Sequence, residues 1–265
     1  MLGRERLKEL VALKEKKYRR RYGRFLVEGP HLLMELARSD WPVEWLLLSP
    51  DRERDPELAP ALARLTDRGA RLVVLPREQL FRLSDVETTQ GVLAVCPIPG
   101  RSWRPEIGAS WRRVLVLDGL QDPGNVGTLI RSAAWFGWDA VLLGAGSADP
   151  YSPKAVRSSM GGLFFVPVFD PPLGSVLKEL SQQGMCLWGA VVEGGVPFCA
   201  IPPPDRVALL IGSEAMGIRT QLQALVQQRV YIPRIGRGVE SLNAAVAGGI
   251  LLAYLSGLCP ETSAG

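Results

Sequence analysis

The sequence predicts an α/β protein with two domains in tandem. Short runs of Val, Leu and Ile alternate with stretches of helical period, the alternation occurs twice, and a Pro- and Gly-rich stretch of low periodicity lies between the two occurrences. A chain of 265 residues has room for one large domain or two smaller ones, and the break in composition favours two.

In the first half, Leu2, Leu7, Leu10, Val11 and Leu13 form a partial apolar face, predicting a helix from about Leu2 to Tyr22 that Gly23 ends. Phe25-Leu26-Val27 reads as a short strand, and Gly29-Pro30 as a turn before a helix from His31 to Arg38. Val43 to Leu48 reads as a buried strand, Pro56 to Asp67 as a helix, and Arg71 to Leu75 and Gly91 to Val95 as further strands. From Cys96-Pro97-Ile98-Pro99-Gly100 through Pro105 and Gly108 the periodicity is lost. The expected division is therefore a first domain over 1–97, a linker over 98–112 and a second domain over 113–265. In the second domain strands are expected at Val114–Leu117, Ala140–Leu143, Phe164–Val168, Cys186–Ala190 and Val207–Ile211. Helices are expected from about Gly127 to Phe136 and from Ser241 to Ser256.

Hydrophobic residues make up 47% of the chain and charged residues 22%, ordinary usage for a soluble globular protein. No apolar stretch is long enough to cross a bilayer, since those around Leu46 and Leu251 stop at Pro50 and Pro260. The charged start, Met1 to Arg6, leads into no apolar signal region, which argues against secretion. Cys96, Cys186, Cys199 and Cys259 lie far apart with no CxxC pair, a pattern of reduced thiols in a cytoplasmic protein rather than of zinc or disulfides. The segment from Lys14 to Arg24 holds seven basic residues against one acid, with Tyr18 and Tyr22 interleaved. Such a block suits RNA, through Lys16, Lys17, Arg19, Arg20, Arg21 and Arg24 on phosphates and tyrosines on bases or sugars, and equally suits a solvated helix face.

Three segments of the second domain share one form: an apolar strand, a loop of Gly and small polar residues, then a helix. Strand ends followed by helix starts gather ligands, because unpaired backbone N–H groups and the helix dipole meet there. The first runs from Leu117 to Arg131, with Asn125 placed to cap a helix and Arg131 in its first turns, where a guanidinium can grip a phosphate in bidentate fashion. The second, Leu209 to Ile218, sets Glu214 at a strand end between Gly212 and Gly217. The third, Val230 to Ala247, brings a strand into a flexible loop, with Ser241 and Asn243 at a helix start. Each alone reads equally well as a capped helix or a turn.

In this order and spacing the three segments resemble the sequence motifs of the SpoU/TrmH family of RNA ribose 2′-O-methyltransferases, within the SPOUT superfamily. The resemblance spans about Arg113 to Leu258. It rests on Asn125-x-Gly127 with Arg131, on Ile211-Gly212-Ser213-Glu214 with Gly217, and on Ile232-Pro233 followed by Ser241-Leu242-Asn243. The run Ser152 to Gly161 also looks like the family's stretch between its first two motifs. The first domain resembles more loosely the family's small substrate-binding domain, through Tyr18-Arg19-Arg20, Phe25 to Gly29 and Gly91 to Ala94.

The resemblance implies a trefoil-knotted α/β methyltransferase domain behind a smaller N-terminal α/β domain, and a homodimer with its active site near the subunit interface. It implies S-adenosylmethionine held mainly by backbone atoms at Gly212, Ile232 and Leu242, with Ile211 and Gly217 beside them. Asn125, Arg131, Glu214, Ser241 and Asn243 would be the catalytic set, with no metal. Two positions depart from the family pattern: Arg234 stands where Met is common and Ala245 where a second Ser is usual. Family proposals make the first-motif arginine the general base. A guanidinium pKa above about 12 favours instead phosphate binding and stabilisation of a forming alkoxide by Arg131. His31, the single histidine, lies outside the motifs. The extra N-terminal domain suits a large folded target, ribosomal RNA rather than transfer RNA. A non-catalytic RNA-binding or ribosome-assembly protein of the same fold is the second reading. A dinucleotide oxidoreductase ranks last, because Gly124-Asn125-Val126-Gly127 lacks GxGxxG spacing.

Overall fold

The computed structural model describes residues 3–100 and 102–257; Leu2, Cys259 and Pro260, which figure in the expectations above, lie outside them. The described chain divides into two compact units. One comprises the chain up to Gly100 together with Asp149–Phe165, and the other comprises the rest.

The first unit begins with α1 (Arg4–Ala12) and α2 (Lys16–Tyr22), two helices where one was expected. The single long helix breaks at Leu13–Glu15, where α1 closes on three-residue turns. The Arg19 guanidinium takes up the carbonyls of Leu13 and Lys14 freed there, at 2.8 and 2.7 Å. Next come β1 (Arg24–Glu28), α3 (Pro30–Arg38), β2 (Trp45–Leu48), α4 (Ala59–Asp67), β3 (Arg71–Val74), α5 (Arg77–Leu83) and β4 (Val92–Pro97). The sheet order is β1-β4-β2-β3, antiparallel except for the parallel β2–β3 pair.

The second unit opens with α6 (Pro105–Gly108), β5 (Arg113–Asp118), α7 (Pro123–Trp135) and β6 (Ala140–Leu143). Residues 102–112, expected as linker, are folded into this unit. Trp103 and Trp111 lie with ring centroids 5.3 Å apart against its core, and Arg206 donates to the carbonyls of Trp111, Gly108 and Ala109. The chain then visits the first unit, where α8 (Pro153–Ser159) packs on β1. A strand was expected at Phe164–Val168. Instead Met160 and Gly161 turn at positive φ, Gly162–Phe164 forms a 3₁₀ turn, and the buried Phe164 ring lies 5.7 Å from Trp41.

The second unit resumes with β7 (Val168–Phe169), α9 (Leu173–Gln182), β8 (Cys186–Ala190), β9 (Val196–Pro197), β10 (Val207–Gly212), α10 (Thr220–Gln223), β11 (Gln228–Tyr231) and α11 (Ala244–Leu255). Its seven strands run in the order β7-β6-β5-β10-β8-β11-β9, all parallel. Central strands of a parallel sheet are covered on both faces, which is why β5, β6 and β10 read as unbroken apolar runs. From β5 the order runs outward through β6 on one side and through β10 on the other. The carboxyl ends of β5 and β10, paired Asp118 to Gly212, therefore flank the point where an open α/β sheet forms its crevice. Among the described residues no helix is long and apolar enough to cross a membrane.

Candidate active site

The β5–α7 loop is held by hydrogen bonds to Ser147 and by its own helix cap. Gly119, at φ 72°, donates its N–H to Ser147 Oγ at 3.0 Å, and that hydroxyl donates to the Leu117 carbonyl at 2.9 Å. Asp122, not Asn125, caps α7: its carboxylate accepts the Gly124 N–H at 3.1 Å, and Pro123 takes the first helical position. Asn125 therefore sits inside the first turn with its amide directed elsewhere.

The β10–α10 loop is a tight hairpin. Ser213 and Gly217 exchange backbone hydrogen bonds at 3.1 and 2.9 Å, and Ser213 Oγ accepts the Met216 N–H at 3.1 Å. A Cβ on Gly212 would lie 2.0 Å from the Gly217 carbonyl carbon, so this position admits only glycine without moving the backbone. Glu214 stands exposed at the apex. The expected helix start at Ser241 shifts to Ala244, with Asn243 as the cap: its Oδ1 accepts from Ala245 and Val246 at 2.9 and 3.2 Å. Gly248 lets α11 close on α7, since a Cβ there would lie 2.4 Å from Leu129 and 2.6 Å from Ile211.

These three loops meet through three side chains. Asn125 Nδ2 donates to Glu214 Oε1 at 2.6 Å, and Asn243 Nδ2 donates to Asn125 Oδ1 at 3.0 Å. An ionised carboxylate only accepts, so Glu214 fixes which way the Asn125 amide faces. The oxygen so presented to Asn243 fixes that amide in turn, leaving its Oδ1 for the helix. Glu214 Oε2 remains open for a ligand's donor.

The structure does not bring every expected residue into this chain of bonds. Ser241 is exposed and hydrogen-bonds to none of its members. Arg131 is exposed on α7, on the same face as Thr128 and Trp135, with no ion pair among the described residues. Ile211 is buried and can offer a ligand only its backbone; Ile232 is half-buried and Leu242 exposed. Sequence reasoning passed over Asp118, Asp122, Ser147 and Arg219. Two of them carried a readable local signal: Asp122, an acid preceding a proline at a helix start, and Asp118, a carboxylate ending an apolar run.

The loops suit a ligand recognised through backbone atoms. Between Pro233 and Leu242 the backbone makes no backbone–backbone hydrogen bond to another described residue, so apart from the Val239 carbonyl, which accepts from Arg234 Nη1 at 2.8 Å, its N–H and C=O groups are available. Met216, Ile235, Val239 and Leu242 expose apolar side chains on the same two loops. Open amides beside apolar side chains are what a purine and an amino-acid moiety require, and S-adenosylmethionine fits the set.

In the first unit Lys16, Arg20 and Arg21 are exposed, Lys17 pairs with Glu15 at 3.0 Å, and Arg24 pairs with Glu44 at 2.6 Å. The Glu15 hydrogen bond raises the Lys17 pKa above its ordinary value. Tyr18 and Tyr22 stack with centroids 6.0 Å apart. Arg19 departs from the expectation of an RNA contact. It is 3% exposed and grips Asp149 Oδ2 through Nε and Nη2 at 2.9 and 2.6 Å, so its charge is spent inside the unit.

A parallel sheet whose β5–α7, β10–α10 and β11–α11 loops converge on an Asn–Glu–Asn frame defines a SpoU-type methyltransferase domain. Residues 112–253 match the model of the SpoU rRNA Methylase family and residues 4–94 that of the MRM3-like substrate binding domain, and the chain belongs to the SpoU family of RNA 2′-O-methyltransferases, with S-adenosylmethionine as its cofactor. It is 34% identical to the 23S rRNA (guanosine(2553)-2′-O)-methyltransferase RlmP of Bacillus subtilis, over 96% of each chain. The SpoU methyltransferase AviRb of Streptomyces viridochromogenes, solved with AdoMet, superposes with a TM-score of 0.85 at 27% identity, covering 97% of this chain and 98% of the other. An AdoMet-bound rRNA methyltransferase of Sinorhizobium meliloti gives a TM-score of 0.85 at 25% identity over 98% and 97%.

Proposed function

We propose that the chain methylates a ribose 2′-hydroxyl of ribosomal RNA, in the cytoplasm, as a homodimer. The observation that carries the site assignment is the Glu214–Asn125–Asn243 chain, which ties the three motif loops into one rigid frame. The named relatives that act on ribosomal RNA favour that substrate over transfer RNA.

Bound S-adenosylmethionine supplies an electrophilic methyl group on a sulfonium. Transfer of that methyl would require the 2′-oxygen to be held in line with the departing sulfur, so the chain's main task would be positioning. The backbone of Gly212, Gly217, Ile232 and Leu242 holds the cofactor. Arg131 would bind the phosphate beside the target ribose and stabilise negative charge developing on the 2′-oxygen. Ser241 adds a hydroxyl at the frame's edge, and Lys16, Lys17, Arg20 and Arg21 hold the RNA body from the first unit, with Arg24 contributing what its Glu44 pair leaves free.

The dimer reading rests on α7 and α11. Trp135 is 82% exposed, and Val246 and Ile250 extend the apolar surface on the helix packed against it. A second copy covering this face would bury the ring and bring two Arg131 side chains to the interface. The knotted threading expected of α11 belongs to the same reading. Trp135→Glu should shift the protein to a monomer in sedimentation; an unchanged dimer would remove α7 from the interface.

Calorimetric titration with S-adenosylmethionine, with Gly212→Trp as control, tests the site. Binding lost in the control supports the loops, and Arg131→Ala should then abolish methyl transfer while cofactor affinity stays near wild type. Absence of binding by the folded protein, with and without RNA, would favour a non-catalytic RNA-binding role. Loss of cofactor binding in Arg131→Ala would overturn the phosphate role.

A further inference from the structure

Both ends of the Glu214 loop are tied to one residue outside it. The loop's entry, Gly212, is paired in register with Asp118 at the end of β5. Its exit, Arg219, donates its backbone N–H to Asp118 Oδ2 at 2.8 Å, and its side chain donates Nε to Oδ1 at 2.6 Å with Nη2 also 2.6 Å away. The Asp118 carboxylate is fully buried, while the Arg219 side chain is half-exposed. A third strand end closes the arrangement: a Cβ on Gly144, just after β6, would lie 2.9 Å from Asp118 Oδ1 and 3.1 Å from Arg219 Nη2. The crevice that an α/β sheet opens between such strand ends is thus filled here by an ion pair.

We propose that Asp118 and Arg219 are positioning residues for cofactor binding, acting through the Ser213–Gly217 hairpin; this rests on the assignment of S-adenosylmethionine to that loop. The hairpin's own bonds fix its shape but not its placement on the sheet. Its two internal backbone bonds join Ser213 to Gly217; at its exit Gln223 Nε2 holds the Ile218 carbonyl from α10, and the Asp118 carboxylate ties Arg219 back to β5. A guanidinium is needed because Nε and Nη2 approach the carboxylate side by side, a geometry that a lysine ammonium cannot reproduce. Releasing the exit lets Glu214 drift from Asn125 and moves the backbone of Gly212 and Gly217, which the cofactor would contact. RNA contacts in the first unit are untouched.

The test compares Arg219→Met, Arg219→Lys and Asp118→Asn by steady-state kinetics with each substrate varied in turn, alongside thermal melts. Losing a charged hydrogen-bond pair predicts that KM for S-adenosylmethionine rises roughly tenfold in Arg219→Met, with KM for RNA moving less than about twofold. Arg219→Lys should recover part of that loss, and Asp118→Asn, which keeps the acceptor oxygen, should fall between. An unchanged KM for the cofactor in a folded Arg219→Met would overturn the proposal. So would parallel rises in both KM values with a lowered melting temperature, the mark of general loosening. If wild type itself fails to bind S-adenosylmethionine in calorimetry, the cofactor assignment fails; if wild type and Arg219→Met bind equally, only the clamp fails.

Discussion

Asn243 does two jobs with one amide, and two substitutions separate them. Its Oδ1 caps α11 through Ala245 and Val246, while its Nδ2 donates to Asn125 Oδ1 at 3.0 Å. Serine caps a helix as well as asparagine does but has no donor long enough to reach Asn125; alanine does neither. Asn243→Ala should lose the cap, about 1 kcal/mol, lowering the melting temperature by about 2–4 °C for a unit of this size. Asn243→Ser keeps the cap and should melt above Asn243→Ala by that margin. Both lose the neutral hydrogen bond to Asn125, worth about 1 kcal/mol. The Asn125 amide is then held from one side only, so kcat/KM for methyl transfer should fall roughly fivefold in both variants. The assay is incorporation of labelled methyl into ribosomal RNA, with melts on the same preparations. Wild-type kcat/KM in Asn243→Ser would refute the frame as a catalytic element, and equal melting temperatures in the two variants would refute the cap.

Other perturbations separate neighbouring residues of like chemistry. Arg19→Ala should destabilise the protein by about 3 kcal/mol or more in denaturant unfolding, because it strands the largely buried Asp149 carboxylate and frees two carbonyls. Arg20→Ala and Arg21→Ala should leave the melting temperature alone and each lower the salt slope of RNA binding by about one, read by titration at several salt concentrations. Gly248→Ala forces a methyl against Leu129 and Ile211 and should cost about 1–3 kcal/mol, whereas its neighbour Gly249→Ala meets open space and should stabilise α11 by up to about 1 kcal/mol, both read by denaturant unfolding. Burial pushes the Cys96 thiol far above its ordinary pKa, so a thiol reagent should modify exposed Cys199 on the folded protein and reach Cys96 only after unfolding; early labelling of Cys96 would contradict its burial.

The strands of the second unit were legible because a parallel sheet buries both faces of its strands, and Val114–Leu117, Ala140–Leu143 and Val207–Ile211 are unbroken apolar runs. The same logic misread Phe164–Val168. Its aromatic residues are buried against Trp41 from a 3₁₀ turn, set by positive φ at Met160 and Gly161. Composition likewise mislabelled 102–112 as linker, because Pro105 and Gly108 outweighed Trp103 and Trp111, whose rings anchor the segment to the core. α9 was missed although Leu173, Val176, Leu177 and Leu180 carry a helical spacing. The long N-terminal helix was overextended because nothing local announces that a buried arginine will satisfy its broken turn.

The site was legible as residue types and not as contacts. Asn125 and Glu214 are 89 residues apart, and Asn125 and Asn243 are 118 apart, so no window of sequence contains a pair of them. Capping logic chose correctly at Asn243 and wrongly at Asn125, and the contrast is informative. A helix needs one cap, and Asp122 with Pro123 already supplies it, which leaves Asn125 inside a first turn where asparagine is a poor helix former. A residue that costs local stability and serves no local purpose must be held by something distant, and its amide is in fact held from both sides. Asp118 follows the same rule. A carboxylate that ends the apolar run Val114–Leu117 cannot be buried without donors, so its sequence position alone announces a partner, and the fold supplies Arg219. Residues that violate the preference of their own element therefore mark where the chain's loops are joined.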